Sequence, residues 1–317
     1  MDPSRISQKP TPTFSLAPMN DVTDTVFRQI VASCATPDLF FTEFVSVDAL
    51  ASIGRKAMEN KLEYTTKDAN LIVQVWGLDP KNYESQAYDL SKKGYKGIDI
   101  NMGCPVDKII KKGACSALIN DRPLAKNIIQ ATQNGAVDIP VSVKTRIGFD
   151  EIDLTWIQFL LEQNLSALTV HARTVKEQSN VDNHWEVFEE IVNMRNNISP
   201  QTKLIANGDV VTKQQGIELA ENHNLDGLMI GRAIFDDPYV FSTNDEWEIA
   251  TPQEKLQLYL NHIELFDKTW KNTKNPDILK KFAKIYTTGF KGAHRIREMV
   301  MGERTIEGVK KIIKDLI

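Results

Sequence analysis

Eight short apolar runs recur at near-constant spacing through the first 230 residues, and no other feature limits the possible folds as tightly. They are FSLAP from 14, LFFTE from 39, LIVQVWG from 71, GIDIN from 97, PVSVK from 140, ALTVH from 167, KLIAN from 203 and DGLMI from 226. The starts lie about 30 residues apart on average, the length of one strand, one loop and one helix. The runs read as continuously apolar, as expected of parallel strands covered on both faces. Helical patterns fill the gaps. DPKNYESQAYDLSKKG has Asp79 as N-cap, Pro80 at the first helical position and a stop at Gly94, and DRPLAKNIIQATQNG repeats that arrangement with Gly135 at its end. Eight such alternations predict a (β/α)8 barrel, an α/β fold of the TIM type. An open doubly wound sheet is the rival, but the first run is not followed by the G-x-G-x-x-G of a dinucleotide fold.

The pattern changes after Phe241. Thr251-Pro252-Gln253-Glu254 is a capping box opening a long amphipathic helix, and two or three more helical patterns run to Ile317 without a strand signal. The expected organisation is therefore a catalytic barrel over residues 1–245 and a small all-helical domain over 246–317. Charge divides the same way: residues 251–317 carry 14 Lys+Arg against 8 Asp+Glu, a net +6 inside a chain of net charge −4. An acidic average argues against indiscriminate nucleic-acid binding, and DNA is not an expected partner, while the basic tail is the part suited to phosphates. The polar, proline-bearing start and the lack of any run near 18 apolar residues predict a cytoplasmic protein with no membrane partner. Three widely spaced cysteines with no C-x-x-C or H-E-x-x-H indicate neither a disulfide framework nor a metal.

In a barrel of this kind chemistry sits at the C-terminal strand ends. Those positions hold Pro18-Met19, Glu43, Gln74, Asn101 to Cys104, Lys144 with Arg146, His171 with Arg173, Asn207-Gly208-Asp209 and Gly231-Arg232. Glycines with an Asn and an Arg after the seventh and eighth strands suit the phosphate site usual there. Lys144 is costly in an apolar strand unless it reaches a polar mouth or an anion. Gln74, within an apolar run, needs partners for both donor and acceptor. Singly, each has an ordinary reading as a surface charge, a turn glycine or a satisfied core residue; their joint placement is what points to a site. Cys34 and Cys115 read as small buried hydrophobes. Cys104 stands apart, because Gly103 and Pro105 force a loop at a strand end. A nucleophilic role would need an adjacent base, and a proton donor needs only a thiol that stays protonated near its usual pKa of about 8.5.

Taken in order, LAPMNDVTDTVFR, FFTEF, VQVWG, IDINMGCP, VSVKTRIGFD, LTVHARTVKEQ, IANGDV and GLMIGRAIFDDP resemble the tRNA-dihydrouridine synthases, and KKFAKIYTTGFKGAHRIRE resembles their tail more loosely. The resemblance implies an FMN-containing (β/α)8 oxidoreductase, reduced by NADPH or NADH, that saturates the C5–C6 bond of uridines in tRNA. It makes Cys104 the proton donor. Pro18, Met19 and Asn20 would line the flavin, Gln74, Lys144 and His171 would meet its ring, and Asn207, Gly208, Asp209, Gly231 and Arg232 would hold its phosphate. Asn101, Arg146 and Arg173 would face the uracil and nearby phosphates, and Lys280, Lys281, Lys284, Lys291, Arg295 and Arg297 would grip tRNA, several from a shared helix face. A monomer is expected. Val106 and Cys115 stand where the family commonly has Ala or Ser and Gly, and HARTVKEQSNVDNHW lacks the family's usual aromatic soon after the Gln. Lys108, Lys111 and Lys112 would either guide the RNA or lower the Cys104 pKa. The rivals are a dihydroorotate- or dihydropyrimidine-type flavin dehydrogenase acting on a free pyrimidine, for which a basic tail has no evident use, and a non-enzymatic tRNA-binding barrel.

Overall fold

The computed structural model describes residues 11–317 apart from Lys67, Ala69 and Asn272, so most of the polar N-terminal stretch lies outside the described residues. All eight apolar runs are strands: β1 (Thr13–Leu16), β2 (Phe40–Phe41), β4 (Leu71–Trp76), β5 (Gly97–Met102), β6 (Val141–Arg146), β7 (Ala167–His171), β8 (Lys203–Asn207) and β9 (Gly227–Ile230). They pair in parallel in the order β1-β9-β8-β7-β6-β5-β4-β2. A bridge between Ser15 and Leu39, with Leu16 N donating to Leu39 O at 3.2 Å, joins the first strand to the second and closes the ring. A further two-residue strand, β3 (Val45–Ser46), also pairs with β4. LFFTE is thus a broken strand, interrupted where Thr42 turns its hydroxyl onto the Glu43 carbonyl at 2.8 Å.

The continuously apolar reading of the runs needs correction. Successive strand residues face opposite sides. The outward set, including Val73, Val75, Ile98, Ile100, Val141, Val143, Leu168 and Val170, is fully buried. The inward set is apolar at the floor, where Phe41, Ile72, Ile205 and Met229 cluster, and polar towards the mouth: in β6 it is Ser142, Lys144 and Arg146. Ser15, Phe41, Ile72, Ser142, Thr169 and Ile205, drawn from strands all round the ring, line one cavity of about 300 Å³ at the N-terminal end of the interior. Burying the outer face under helices supplies the core and leaves the inner face free to carry polar groups towards the opposite end.

The expected helix starts are present. Asp79 caps the Pro80–Ser91 helix by accepting from Lys81 N at 2.9 Å, Asp121 caps Arg122–Gly135, and Thr251 and Glu254 form the reciprocal box on Pro252–Trp270. Gly135 is the last residue of its helix, where the sequence pattern puts it. It also permits close approach, since a Cβ there would lie 2.0 Å from the Glu84 carbonyl oxygen of the neighbouring helix. Past residue 246 the described chain is helical: Glu246–Ile249, Pro252–Trp270, Asp277–Tyr286, Ala293–Gly302 and Ile306–Lys314.

This helical part docks on the Thr25–Cys34 helix of the barrel. Phe282 stacks on Phe27 with ring centroids 4.7 Å apart, and His262 lies 4.8 Å from Phe282. Asp24 accepts from Trp270 Nε1 at 3.2 Å and pairs with Lys274 at 2.8 Å, and Lys274 also lies 3.6 Å from the buried Glu43. Burial holds the His262 imidazole down near a pKa of about 4, so it is neutral in this contact. Among the described residues no helix is long and apolar enough to cross a membrane.

Gly135→Ala should cost about 1–3 kcal/mol by overpacking the helix pair. Equilibrium urea unfolding measures it, and an unchanged midpoint would mean that the two helices have room to separate.

Candidate active site

β5 delivers the cysteine turn. The Asn101 side chain bends back so that Oδ1 accepts the amides of Gly103 at 3.1 Å and Cys104 at 3.0 Å. Gly103 packs on β6, where a Cβ would meet the Thr145 carbonyl carbon at 3.2 Å. Arg146 Nε donates to the Gly103 carbonyl at 3.0 Å, and Ser116 Oγ donates to the Cys104 carbonyl at 2.7 Å. Four bonds therefore fix a turn whose thiol stays partly exposed.

That thiol has an unforeseen neighbour. Cys115 is fully buried and sits at φ +54, a conformation that favours glycine, and its side chain hydrogen-bonds Cys104. The bond from Cys115 is the largest influence on Cys104, followed by opposing burial and then by the Val106 amide, Arg146 and Lys144, which together bring it down to a pKa of about 7. The expectation of an ordinary thiol pKa is corrected accordingly, and the cause lies in Cys115 and these groups instead of Lys108, Lys111 and Lys112. Cys34, by contrast, is pushed up to about 12 by burial.

Beside this turn, at the C-terminal end of the barrel, lies a cavity of about 650 Å³. Pro105 lines it, as do Pro18, Met19, Lys144, Arg146, His171, Asn207, Gly208, Asp209, Gly231 and Arg232, along with Gln178, Val210, Val211 and Asp236, which were not among the expected site residues. Volume and rim chemistry suit a ligand-sized organic molecule. Two residues expected to line a cofactor do not reach it. Asn20 is exposed, its Oδ1 taken by Lys61 Nζ. Gln74 is wholly buried one layer down, donating to Asp99 Oδ2 at 2.7 Å and accepting from Asn101 Nδ2 at 2.9 Å. Asn101 is likewise occupied by the turn and by Gln74, so holding the turn is its visible task.

The electrostatics of the rim are cationic. Burial first, then Arg146, lowers Lys144 to about 8, with Asp99 opposing, and its ammonium has no hydrogen-bond acceptor among the described residues. Burial and the surrounding cations hold His171 well below its ordinary range, so its imidazole is neutral. Arg146 spends Nη1 on the carbonyls of Thr174 and Gln178, both at 2.9 Å. Arg173 is 3% exposed, donates to Val181 O at 2.7 Å and to Asp209, and keeps a buried Nη1 without a partner. Asp209 pairs with both Arg173 and Arg232, and these arginines hold its carboxyl below the usual range. A carboxylate so placed orients arginines and would repel a phosphate, so of Asp209 only the backbone amide is suited to the anion.

The tail cations separate into two groups. Lys280 is tied to Asp277 at 2.7 Å on its own helix, and Arg297 Nη1 closes the end of the Asp277–Tyr286 helix on the Thr287 carbonyl. Lys280, Lys281 and Lys284 share the Asp277–Tyr286 helix, but Lys280 and Arg297 are engaged within the helical part itself. Lys281 and Lys284 extend towards the barrel, 3.8 Å from Asp21 and 3.1 Å from Asp236 of the cavity rim, while Lys291 and Arg295 are exposed on the next loop and helix.

The family model for dihydrouridine synthases matches residues 15–314. The chain is 41% identical over 313 residues to a "Probable tRNA-dihydrouridine synthase" of Staphylococcus aureus strain COL, covering 98% of this chain and 94% of that protein. It is 38% identical over 310 residues to "Probable tRNA-dihydrouridine synthase 2" of Bacillus subtilis strain 168, covering 96% and 94%.

Cys115→Ala should raise the Cys104 pKa, because the largest lowering influence is removed. Alkylation rate against pH reads this directly: the wild type should show a midpoint about 7 and the variant a higher one, and coincident curves would mean that Cys115 does not act on Cys104.

Proposed function

The chain belongs to the dihydrouridine synthase family, whose members are flavin-dependent oxidoreductases, and from that premise we propose that it reduces uridines of tRNA to 5,6-dihydrouridine with FMN as cofactor and NADPH as reductant. The observation that carries the reading is a fixed, partly exposed thiol on the rim of a cationic cavity at the C-terminal end of a parallel barrel.

The rim fits a phosphate-bearing flavin. The amides of Gly208, Asp209 and Val210 have no acceptor among the described residues, Arg232 is exposed beside them, and the buried Arg173 Nη1 lacks a partner. Unpaired donors at the seventh and eighth strand ends are the chemistry an anion completes. At Gly231 a Cβ would meet only Ala17 Cβ at 3.6 Å, so that wall is open. Pro18 and Met19 would cover the ring, and the unpaired Lys144 ammonium would offset its electron-rich reduced form. When bound, the reduced flavin supplies the hydride that goes to C6 of the uracil.

The chain's own residues supply the remainder. Cys104 gives its proton to C5 and becomes a thiolate, which the Cys115 thiol, the Val106 amide and the Arg146 and Lys144 charges stabilise. Those groups act where negative charge develops, which is the preorganised electrostatics on which such sites rely. Neutral His171 can donate to a uracil carbonyl without adding charge, and Arg146 and Arg173, held by backbone carbonyls and Asp209, frame the approach. The target base must leave its stack to reach the cavity. Lys281, Lys284, Lys291 and Arg295 would meet backbone phosphates of the tRNA, a use that a free-pyrimidine dehydrogenase would not have; Lys284 beside Asp236 of the rim and the exposure of Lys291 and Arg295 support this.

Cys104→Ala should keep flavin absorbance while dihydrouridine formation falls by about 10²- to 10⁴-fold, the usual worth of a positioned acid. Because the acid must be protonated, single turnover by the pre-reduced wild type should decline as pH rises through about 7. Digestion of the tRNA and mass spectrometry give the yield; full activity in the variant would remove Cys104 from the chemistry.

A further inference from the structure

Between the floor cavity and the mouth, a row of polar side chains crosses three strands. The register sets Gln74 beside Asp99 and Asp99 beside Ser142, with Asn101 beside Lys144 one layer nearer the mouth. Asp99 is 1% exposed and Gln74 is 0% exposed. Ser142 Oγ donates to Asp99 Oδ1 at 2.6 Å, Gln74 Nε2 donates to Asp99 Oδ2 at 2.7 Å, and Asn101 Nδ2 donates to Gln74 Oε1 at 2.9 Å. Asn101 Oδ1 then accepts the two amides of the cysteine turn.

The direction of every bond in this row is determined. The backbone amides of Gly103 and Cys104 can only donate, so the atom of Asn101 facing them is the carbonyl and its amino group turns to Gln74. Gln74 must then present its carbonyl to Asn101 and its amino group to position 99. Only an acceptor can stand there, and a carboxylate offers one to Gln74 and another to Ser142. An amide otherwise free to rotate by half a turn is thereby held one way at both ends. Each of the two amides keeps one N–H that no described residue accepts; Gln74 is wholly buried, so it is Asn101, one layer nearer the mouth, whose spare N–H can be offered to a ligand there, and Gln74 acts through Asn101.

We infer that Asp99 is a positioning residue for the reaction proposed above, on which this inference rests: by accepting from Gln74 it sets the polarity of the Gln74–Asn101 pair, and through Asn101 it fixes the turn that carries Cys104. It touches neither flavin nor base. Its carboxylate is the terminal acceptor of a relay that ends on the proton donor's own amide. Donors held this way favour the electron-rich, reduced form of a ring bound above them.

The test uses flavin-loaded enzyme in five forms: wild type, Asp99→Asn, Asp99→Leu, Gln74→Leu, and Asp99→Leu placed in the Gln74→Leu background. Asn at 99 can still accept from Gln74 while its amino group donates to Ser142, so it should stay near the wild-type single-turnover rate, and because it lacks the charge just as Leu does it is the reference for the flavin midpoint potential. Leu also removes the acceptor, and the potential should fall below that of Asp99→Asn while the rate drops by about 100-fold, the cost of a misplaced reacting group. In the Gln74→Leu background the change at 99 should add nothing, because its target is gone. Asp99→Leu with the rate of wild type and the potential of Asp99→Asn would overturn the inference, as would Asp99→Asn impaired as deeply as Asp99→Leu, or a further 100-fold loss in the Gln74→Leu background. If Asp99→Leu fails to fold, the Asn variant and the Gln74→Leu comparison with wild type still decide, since Gln74→Leu must then reproduce the fall in potential. A wild type that forms no dihydrouridine overturns both this inference and the reading of the site, whereas an active wild type matched by Asp99→Leu overturns the inference alone.

Discussion

Closure of eight parallel strands into a ring is the constraint from which the rest follows. Parallel pairing brings all eight C-terminal ends to one rim, and closure turns one side chain in two towards a shared interior. The outward residues, such as Val73, Ile100 and Val143, are buried under helices and supply the core. The inward residues are released from that duty. They can be Gln74, Asp99, Asn101, Ser142, Lys144 and Arg146, because each finds a partner on a neighbouring strand or faces the mouth. A polar interior of this kind would be ruinous in an open sheet edge but is satisfied here by neighbours on adjacent strands, as Gln74, Asp99 and Ser142 show.

Much of this was legible in the sequence. The eight runs, their parallel order and the capping signals at Asp79, Asp121 and Thr251 are local patterns, and local patterns survive folding when the propensities agree with the tertiary arrangement. The misreadings came from treating the runs as uniformly apolar. PVSVK alternates, and IDIN places Asp99 and Asn101 two apart on one face, so period-two counting would have found the buried carboxylate beside Gln74. Other facts have no local signal. That Cys115 packs on Cys104, that Asp209 occupies two arginines, and that Arg297 closes a helix end while Lys284 reaches the rim all depend on chain segments far apart in sequence meeting in space.

The helical tail is not loosely attached. Phe282 on Phe27, and Asp24 with Trp270 and Lys274, hold it against the first barrel helix, while Lys281 and Lys284 lie beside the cavity rim. On the proposed reading the two parts together form one surface, with thiol and cavity at the centre and cations to one side. A rigid relation between grip and mouth would decide which uridine of a folded RNA can reach the thiol, and it gives the charge difference between tail and barrel a purpose.

The central claim is that this cavity and thiol reduce a uracil presented by tRNA. Its most direct test is reoxidation of the pre-reduced, flavin-loaded enzyme, followed by flavin absorbance without oxygen, with an unmodified tRNA transcript or free uridine as the only oxidant. The account predicts rapid reoxidation by the transcript, with dihydrouridine appearing in step, and little by the free nucleoside. Equal reoxidation by both, or none by the transcript, would contradict it.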